Sequence, residues 1–388
     1  AGSGCVPDPV VLPRFVLLYA AMYAAYGVAS PFLPAFVNSR GIAPEELGLV
    51  LGTGTAVRLL SAPLAGRLGD VLGALRTVLV LCIALAAFTT LGYLPARDFW
   101  WFLAISGLQA AALAPMTVLA DALALGAAKR ERFEYGWVRG TGSAAFIIGT
   151  LGSGQAVAAA GLGVIVGLQA SLLGLAAFAA ALVPEIQHPE AQHAQRESVM
   201  TLVRLPVFRY VVLIAALVLG SHAMHDAFAM IRWRAAGVGA QTGALLWSEA
   251  VLAEVVVFFF IGPALVRRLT PAGALALAAV AGIVRWSVMA TSTQVLALAL
   301  VQPLHGITFA LLHLACMRLI ALAVPAALAG TAQAIYGTVG IGGASALLTF
   351  ASGSLYGRLG AAGFWAMALL CAGALPLTWR LARSSALH

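Results

Sequence analysis

The chain has 388 residues, of which 62% are hydrophobic and only 9% charged, with a mean hydropathy of +0.98. Soluble domains carry roughly 25% charged residues, so a soluble enzyme or regulator is excluded in favour of an integral membrane protein. The net charge of +8 does not point to nucleic acid, because the basic residues are spread over short breaks between apolar runs.

Forty-one glycines and the absence of period-2 segments favour packed helices over a lipid-facing barrel. Ala1 to Pro9 is short and polar, and the first apolar run continues as a full span, so no cleavable signal is expected. Runs of about 20 apolar residues cross a bilayer as helices. Twelve are predicted, over 12–37, 46–67, 75–95, 99–126, 136–158, 161–183, 206–231, 241–266, 272–291, 294–322, 327–351 and 361–382. The longest polar break, residues 184–204, follows the sixth span. The predicted organisation is a six-helix bundle over 1–183, a cytoplasmic linker over 184–204 and a second six-helix bundle over 205–388.

Orientation follows from the excess of basic residues in cytoplasmic loops. With the N-terminus inside, Arg14, Arg67, Arg76, Lys129, Arg130, Arg132, Arg196, Arg204, Arg209, Arg267, Arg268, Arg318, Arg380 and Arg383 share one face. Only Arg40, Arg97, Arg232, Arg234 and Arg358 fall on the other. Both termini are therefore expected in the cytoplasm.

Ionisable groups inside the apolar runs are costly unless they face a partner or a wet cavity, and they are the candidate functional residues. Span two contains Arg58, readable as a structural partner of Glu254 or Asp226, or as an anchor for an anionic substrate. Asp121 near the inner end of span four and Arg139 near the start of span five come to similar depth and are expected to pair. Aromatics Tyr19, Tyr23 and Tyr26 recur along span one, and Trp247, Trp286 and Tyr336 occur elsewhere. Those that face a cavity would suit a flat or aromatic substrate.

Span seven ends in GSHAMHDAFAMIRWR. His222, His225, Asp226 and Met230 can share a face there, with Met224 nearby, either as a metal site or, more plainly, as a polar lining. Span eight carries Glu249 and Glu254, and the mid-helix Glu254 is the first candidate for a proton carrier. Arg285 lies in span nine, while His305, Phe309 and His313 form one stripe on span ten, suited to substrate contact or proton movement. Cys82, Cys316 and Cys371 fall in apolar runs and Cys5 near the N-terminus, without metal or disulfide spacing. HExxH and GxSxG are absent in any fitting context, so an intramembrane enzyme is not expected.

The segment GRLGDVLGALR resembles the signature loop of the major facilitator superfamily, with Gly66, Asp70 and Gly73 at its glycine, aspartate and glycine positions. It departs at Val71 and Ala74, where that pattern is basic, and Arg67 and Arg76 are the nearest substitutes. Further segments, LADALA, YGWVRGTGSAAFIIG, GSHAMHDAF, AEVVVF, VRWSVMA and QPLHGITFALLHLACMR, resemble in order and spacing the phenylpropionate permease family. That family lies in the lactose-permease-like and nucleoside-symporter-like branch.

The resemblance implies an all-α major facilitator fold of twelve transmembrane helices in two six-helix bundles. It also implies a multi-pass inner-membrane symporter that takes up a small organic acid with protons by alternating access. It carries over Arg58, Asp121, Tyr135, Arg139, His222, Glu254, Arg285, His305 and His313, whereas His225, Asp226 and Glu249 match no family pattern. The expected substrate contacts are Arg58, Arg139, Arg285, Tyr23, Trp286, His305 and Tyr336. Proton coupling is expected at Glu254, Asp121, His313 and Asp226, and an inner gate at Gly66, Asp70, Gly73 and Arg76. No cofactor beyond the proton gradient, no metal and no nucleic-acid partner are expected, and a monomer in the lipid bilayer suffices. The rival readings are a proton-coupled nucleoside or sugar symporter and an exporter of drugs or metabolites.

Overall fold

Hydrocarbon offers no partner to a backbone N–H or C=O, so an apolar run can cross it only by closing those bonds within itself. The computed structural model describes residues 10–131, 133–185 and 199–383, and every regular element there is helical. Cys5, Arg132, Arg196 and most of the expected linker lie outside the described residues.

The first half contains α1 (Val11–Ser39), α2 (Pro44–Leu72), α3 (Leu75–Leu91), α4 (Phe99–Glu131), α5 (Tyr135–Ala160) and α6 (Val164–Leu182). After the short α7 (Val199–Arg204), span seven is made by α8 (Pro206–Gly220) and α9 (His222–Ala235), and span eight begins with α10 (Ala240–Val256). Next come α11 (Gly262–Thr291), α12 (Val295–Val301), α13 (Leu312–Ala323), α14 (Ala329–Ile335), α15 (Ala344–Leu359) and α16 (Phe364–Ala382).

Among the described residues, nine stretches are long and apolar enough to cross a membrane. That differs from the expected twelve for two physical reasons. Ala240–Thr291 and Ala329–Ala382 run 52 and 54 residues, about twice a bilayer crossing, and α3 is shorter than a full span. The first long stretch breaks at Thr270, whose φ of 62° is left-handed, and the second at Gly360 with φ 55°. Phe88, Trp100, Trp137, Phe260 and Leu296 lie exposed on these helices, as lipid-facing side chains do.

By its internal contacts the chain forms two compact units, one of Ala1–Phe36 with Val57–Ala191 and one of Val37–Ala56 with Gln192–His388. Phe15, Leu18, Met22, Leu79, Ile83, Met116, Leu123 and Leu173 form the core of the first. Small residues let its helices approach closely: a Cβ on Gly27 would collide with the Phe146 carbonyl of α5, and Thr150 donates to the Gly27 carbonyl at 3.0 Å. In the second unit a Cβ on Gly48 would lie 2.7 Å from Gly353 Cα, so α2 crosses α15 through facing glycines.

The signature loop expected around Gly66 to Arg76 is mostly helix, because α2 continues to Leu72 and leaves Gly73 (φ 59°) and Ala74 to make the turn. Gly66 and Asp70 therefore belong to the last turns of α2. Arg76, in the first turn of α3, donates its backbone N–H to Glu185 Oε1 at 3.0 Å and reaches the Val183 carbonyl at 3.4 Å with its guanidinium. It ties the start of α3 to the end of α6.

Candidate functional site

In the first unit the tight α1–α5 crossing sets the register of two tyrosines. Tyr23 packs its ring over Gly142, and Tyr19 lies one turn earlier with its ring stacked on Tyr23 at 5.8 Å. Asp121 on α4 meets both helices: it accepts the Tyr135 hydroxyl at 2.7 Å and that of Tyr19, and lies 3.8 Å from Arg139. Arg139 in turn donates to Tyr23 and places its guanidinium 5.3 Å from that ring. Asp121 is thus a part-exposed carboxylate held by two phenols and a cation. Arg58 on α2 is exposed and has no ion-pair partner within its own unit among the described residues.

The second unit builds its cluster around a buried cation. Arg285 on α11 is wholly inaccessible, lies 4.6 Å from the centre of the Trp286 ring, and gives one N–H to Gln302 Oε1 at 2.9 Å and another to His305 Nδ1 at 3.0 Å. A guanidinium can only donate, so His305 Nδ1 must be the accepting nitrogen. Its Nε2 then carries the hydrogen and points it at the Glu254 carboxylate, 3.4 Å away. The same logic fixes His222. Its Nδ1 faces the carbonyls of Val218 and Leu219, each at 3.1 Å, so it donates there, and Nε2 accepts the Thr308 hydroxyl at 3.0 Å.

The helices that hold this cluster contain π-helical segments at Val257–Ile261, Gly306–Leu311 and Tyr336–Gly343, features that recur at functional sites. Glu254 lies three residues before the first, His305 directly before the second, and Tyr336 begins the third. A π turn advances each residue through a smaller angle than an α turn, so the eight-residue step from His305 to His313 ends nearer one face than the about 80° an α-helix gives. His305 stacks on Phe309 at 5.4 Å, and His313 bonds the Tyr336 hydroxyl at 3.1 Å while interacting electrostatically with Glu254. Gly306 makes the crossing with α10 possible, since a Cβ there would lie 2.5 Å from the Ala253 carbonyl.

A family model described as MFS_1 like family matches residues 12–367. The chain belongs to that family. This MFS_1 like protein is 35% identical over 366 residues, 92% of its length and 94% of the relative's, to the "Probable 3-phenylpropionic acid transporter" of Escherichia coli (strain K12). Two solved structures share the fold. The nucleoside transporter NupG is 15% identical with a TM-score of 0.81, over 97% of this chain and 99% of that one. A bacterial homologue of the human lysosomal transporter Spinster, in an inward-facing and unoccupied conformation, is 16% identical with a TM-score of 0.74, over 96% of each chain. The MFS_1 like chain is a multi-pass membrane transporter and not an enzyme.

The geometry sorts the transporter's expected substrate contacts. Arg58, Arg139, Tyr23 and His305 keep accessible surface, whereas Arg285, Trp286 and Tyr336 are buried and touch other side chains, acting as walls behind the cluster. Asp226 keeps one carboxylate oxygen 3.2 Å from His225 Nδ1. Among the described residues no group of three His, Cys, Asp or Glu side chains is arranged to hold a metal. Gln302, Thr308 and Ser221, which orient Arg285, His222 and the Trp286 indole, were not singled out by sequence. An uncharged polar residue in an apolar run costs little and signals little.

Proposed function

We propose that the transporter imports a small organic acid, aromatic in class, together with protons by alternating access. It resides in the inner membrane with both termini in the cytoplasm. The observation that carries the proton part is the neutral His305 bridging Arg285 and Glu254. Glu254 is a charged, strong acceptor for the His305 Nε2–H while ionised, so its protonation weakens that bond, loosens the imidazole and cancels a charge that must otherwise be carried through the membrane. Proton and substrate that favour the same occluded state then shift the conformational equilibrium together.

Support for the anionic substrate comes from the exposed guanidinium of Arg58 and the part-exposed one of Arg139, whose paired donors match a carboxylate. The relative's printed 3-phenylpropionic acid supports the aromatic class. In proteoliposomes, an acidic exterior should drive accumulation of 3-phenylpropionate, and a protonophore should abolish it. Glu254→Gln should lose accumulation while retaining exchange of internal for external substrate. Accumulation that ignores the pH gradient, or a Glu254→Gln protein that accumulates like the parent, would remove proton coupling. Uptake of nucleosides or sugars in place of acids would favour the rival symporter.

A further inference from the structure

Arg285 anchors a second branch besides the one ending at Glu254. Gln302, whose Oε1 accepts from Arg285, turns its amide nitrogen to His225 Nε2 at 3.4 Å, and His225 Nδ1 lies 3.2 Å from Asp226 Oδ1. Every donor in this series points the same way, from guanidinium through amide and imidazole to carboxylate. His225 cannot turn aside, because its ring is stacked on Trp247 at 4.9 Å and also meets Trp233 and Trp286. The buried cation therefore holds two carboxylates at fixed places through two neutral histidines.

The two ends differ in what they meet. Asp226 is the one residue between His222 and Met230 that is not buried, and its side chain is 64% exposed against 31% for Glu254. His222, Arg285 and His305 are its electrostatic neighbours, and His225 is its hydrogen-bond partner. Its second oxygen has no protein partner among the described residues. An ionised Asp226 carboxylate matches the charge of Arg285 when Glu254 takes the proton, and in that form it can only accept hydrogen bonds.

We infer that Asp226 is a specificity-determining residue of the transport site, and that the substrate is an aromatic acid bearing a hydroxyl, whose O–H is accepted by the free carboxylate oxygen. A substrate carboxylate would be repelled there, and an unsubstituted ring would leave a charged acceptor dry. The inference rests on the organic-acid reading above and narrows it.

The test is competition against 3-phenylpropionate uptake in proteoliposomes of the full chain, using unlabelled 3-phenylpropionate and its ortho, meta and para ring-hydroxylated analogues. At least one hydroxylated analogue should compete roughly 10- to 100-fold better, the range expected of a hydrogen bond to a charged group. The preference should fall to about twofold or less in Asp226→Ala. Asp226→Asn, close in shape, gives the same reading should the alanine variant fail to fold, with a reduced preference expected. Equal competition by all the acids in the parent protein, or a preference unaltered in both variants, overturns the assignment of Asp226 alone. Absence of any gradient-driven aromatic-acid uptake overturns the organic-acid reading and this inference with it.

Discussion

A guanidinium with zero accessible surface in the middle of a membrane protein needs acceptors for its N–H groups, and Arg285 finds Gln302 Oε1, His305 Nδ1 and the Trp286 face. Gln302 and His305 lie on another span, so the charge also fixes how α11 meets the chain around His305. Arg285→Ala leaves both acceptors dry and should cost on the order of 3 kcal/mol, read as a lower melting temperature of the detergent-purified protein. Arg285→Lys keeps the charge but presents a point donor that cannot hold the planar fork, so intermediate stability with uptake down by about tenfold or more is expected. A lysine variant that matches the parent in both measurements would show that charge alone suffices. Sequence made Arg285, His305 and Glu254 visible because hydrocarbon excludes such groups. Which of them would be walls and which surface was not visible, since that depends on the rotation of each helix.

Helix crossings are decided by glycines whose hydrogen is the only atom that fits. Gly27→Ala would press a methyl into the α5 backbone at Phe146 and Thr150, and Gly306→Ala would press one against Ala253 and Val257. Each should lower stability by about 1–3 kcal/mol, the usual cost of overpacking, and Gly306→Ala should also reduce uptake by shifting His305 against Glu254. Gly152→Ala on α5, with open space around its Cα, serves as control and should change melting little. Equal effects at all three positions would mean that helix propensity, not close approach, sets the outcome. The spans themselves were legible because about 20 apolar residues cannot be hidden. The π-helical segments were not, because a π turn leaves no residue signature. The spacing of His305, Phe309 and His313 predicts an α-helical stripe, and the π turn draws it nearer one face than that spacing alone.

At the scale of the whole chain, charge distribution and hydropathy should decide orientation, since short loops rich in arginine and lysine resist translocation. The turn between α4 and α5 follows Lys129 and Arg130, whereas the count of spans from the sequence predicts the turn between α9 and α10 on the opposite side. Cys82, Cys316 and Cys371 sit in helices, the last two buried, so a variant lacking native thiols is a workable background. In intact cells a membrane-impermeant maleimide should label Ala236→Cys directly and Glu134→Cys only after permeabilisation, both positions being exposed. The opposite pattern would invert the chain, place its termini outside, and reverse the side from which protons reach Glu254. Import driven by an acidic exterior would then require the cluster around Arg285 to load from what is now counted as the exit side. Orientation and the direction of coupling therefore stand or fall on the same pair of labels.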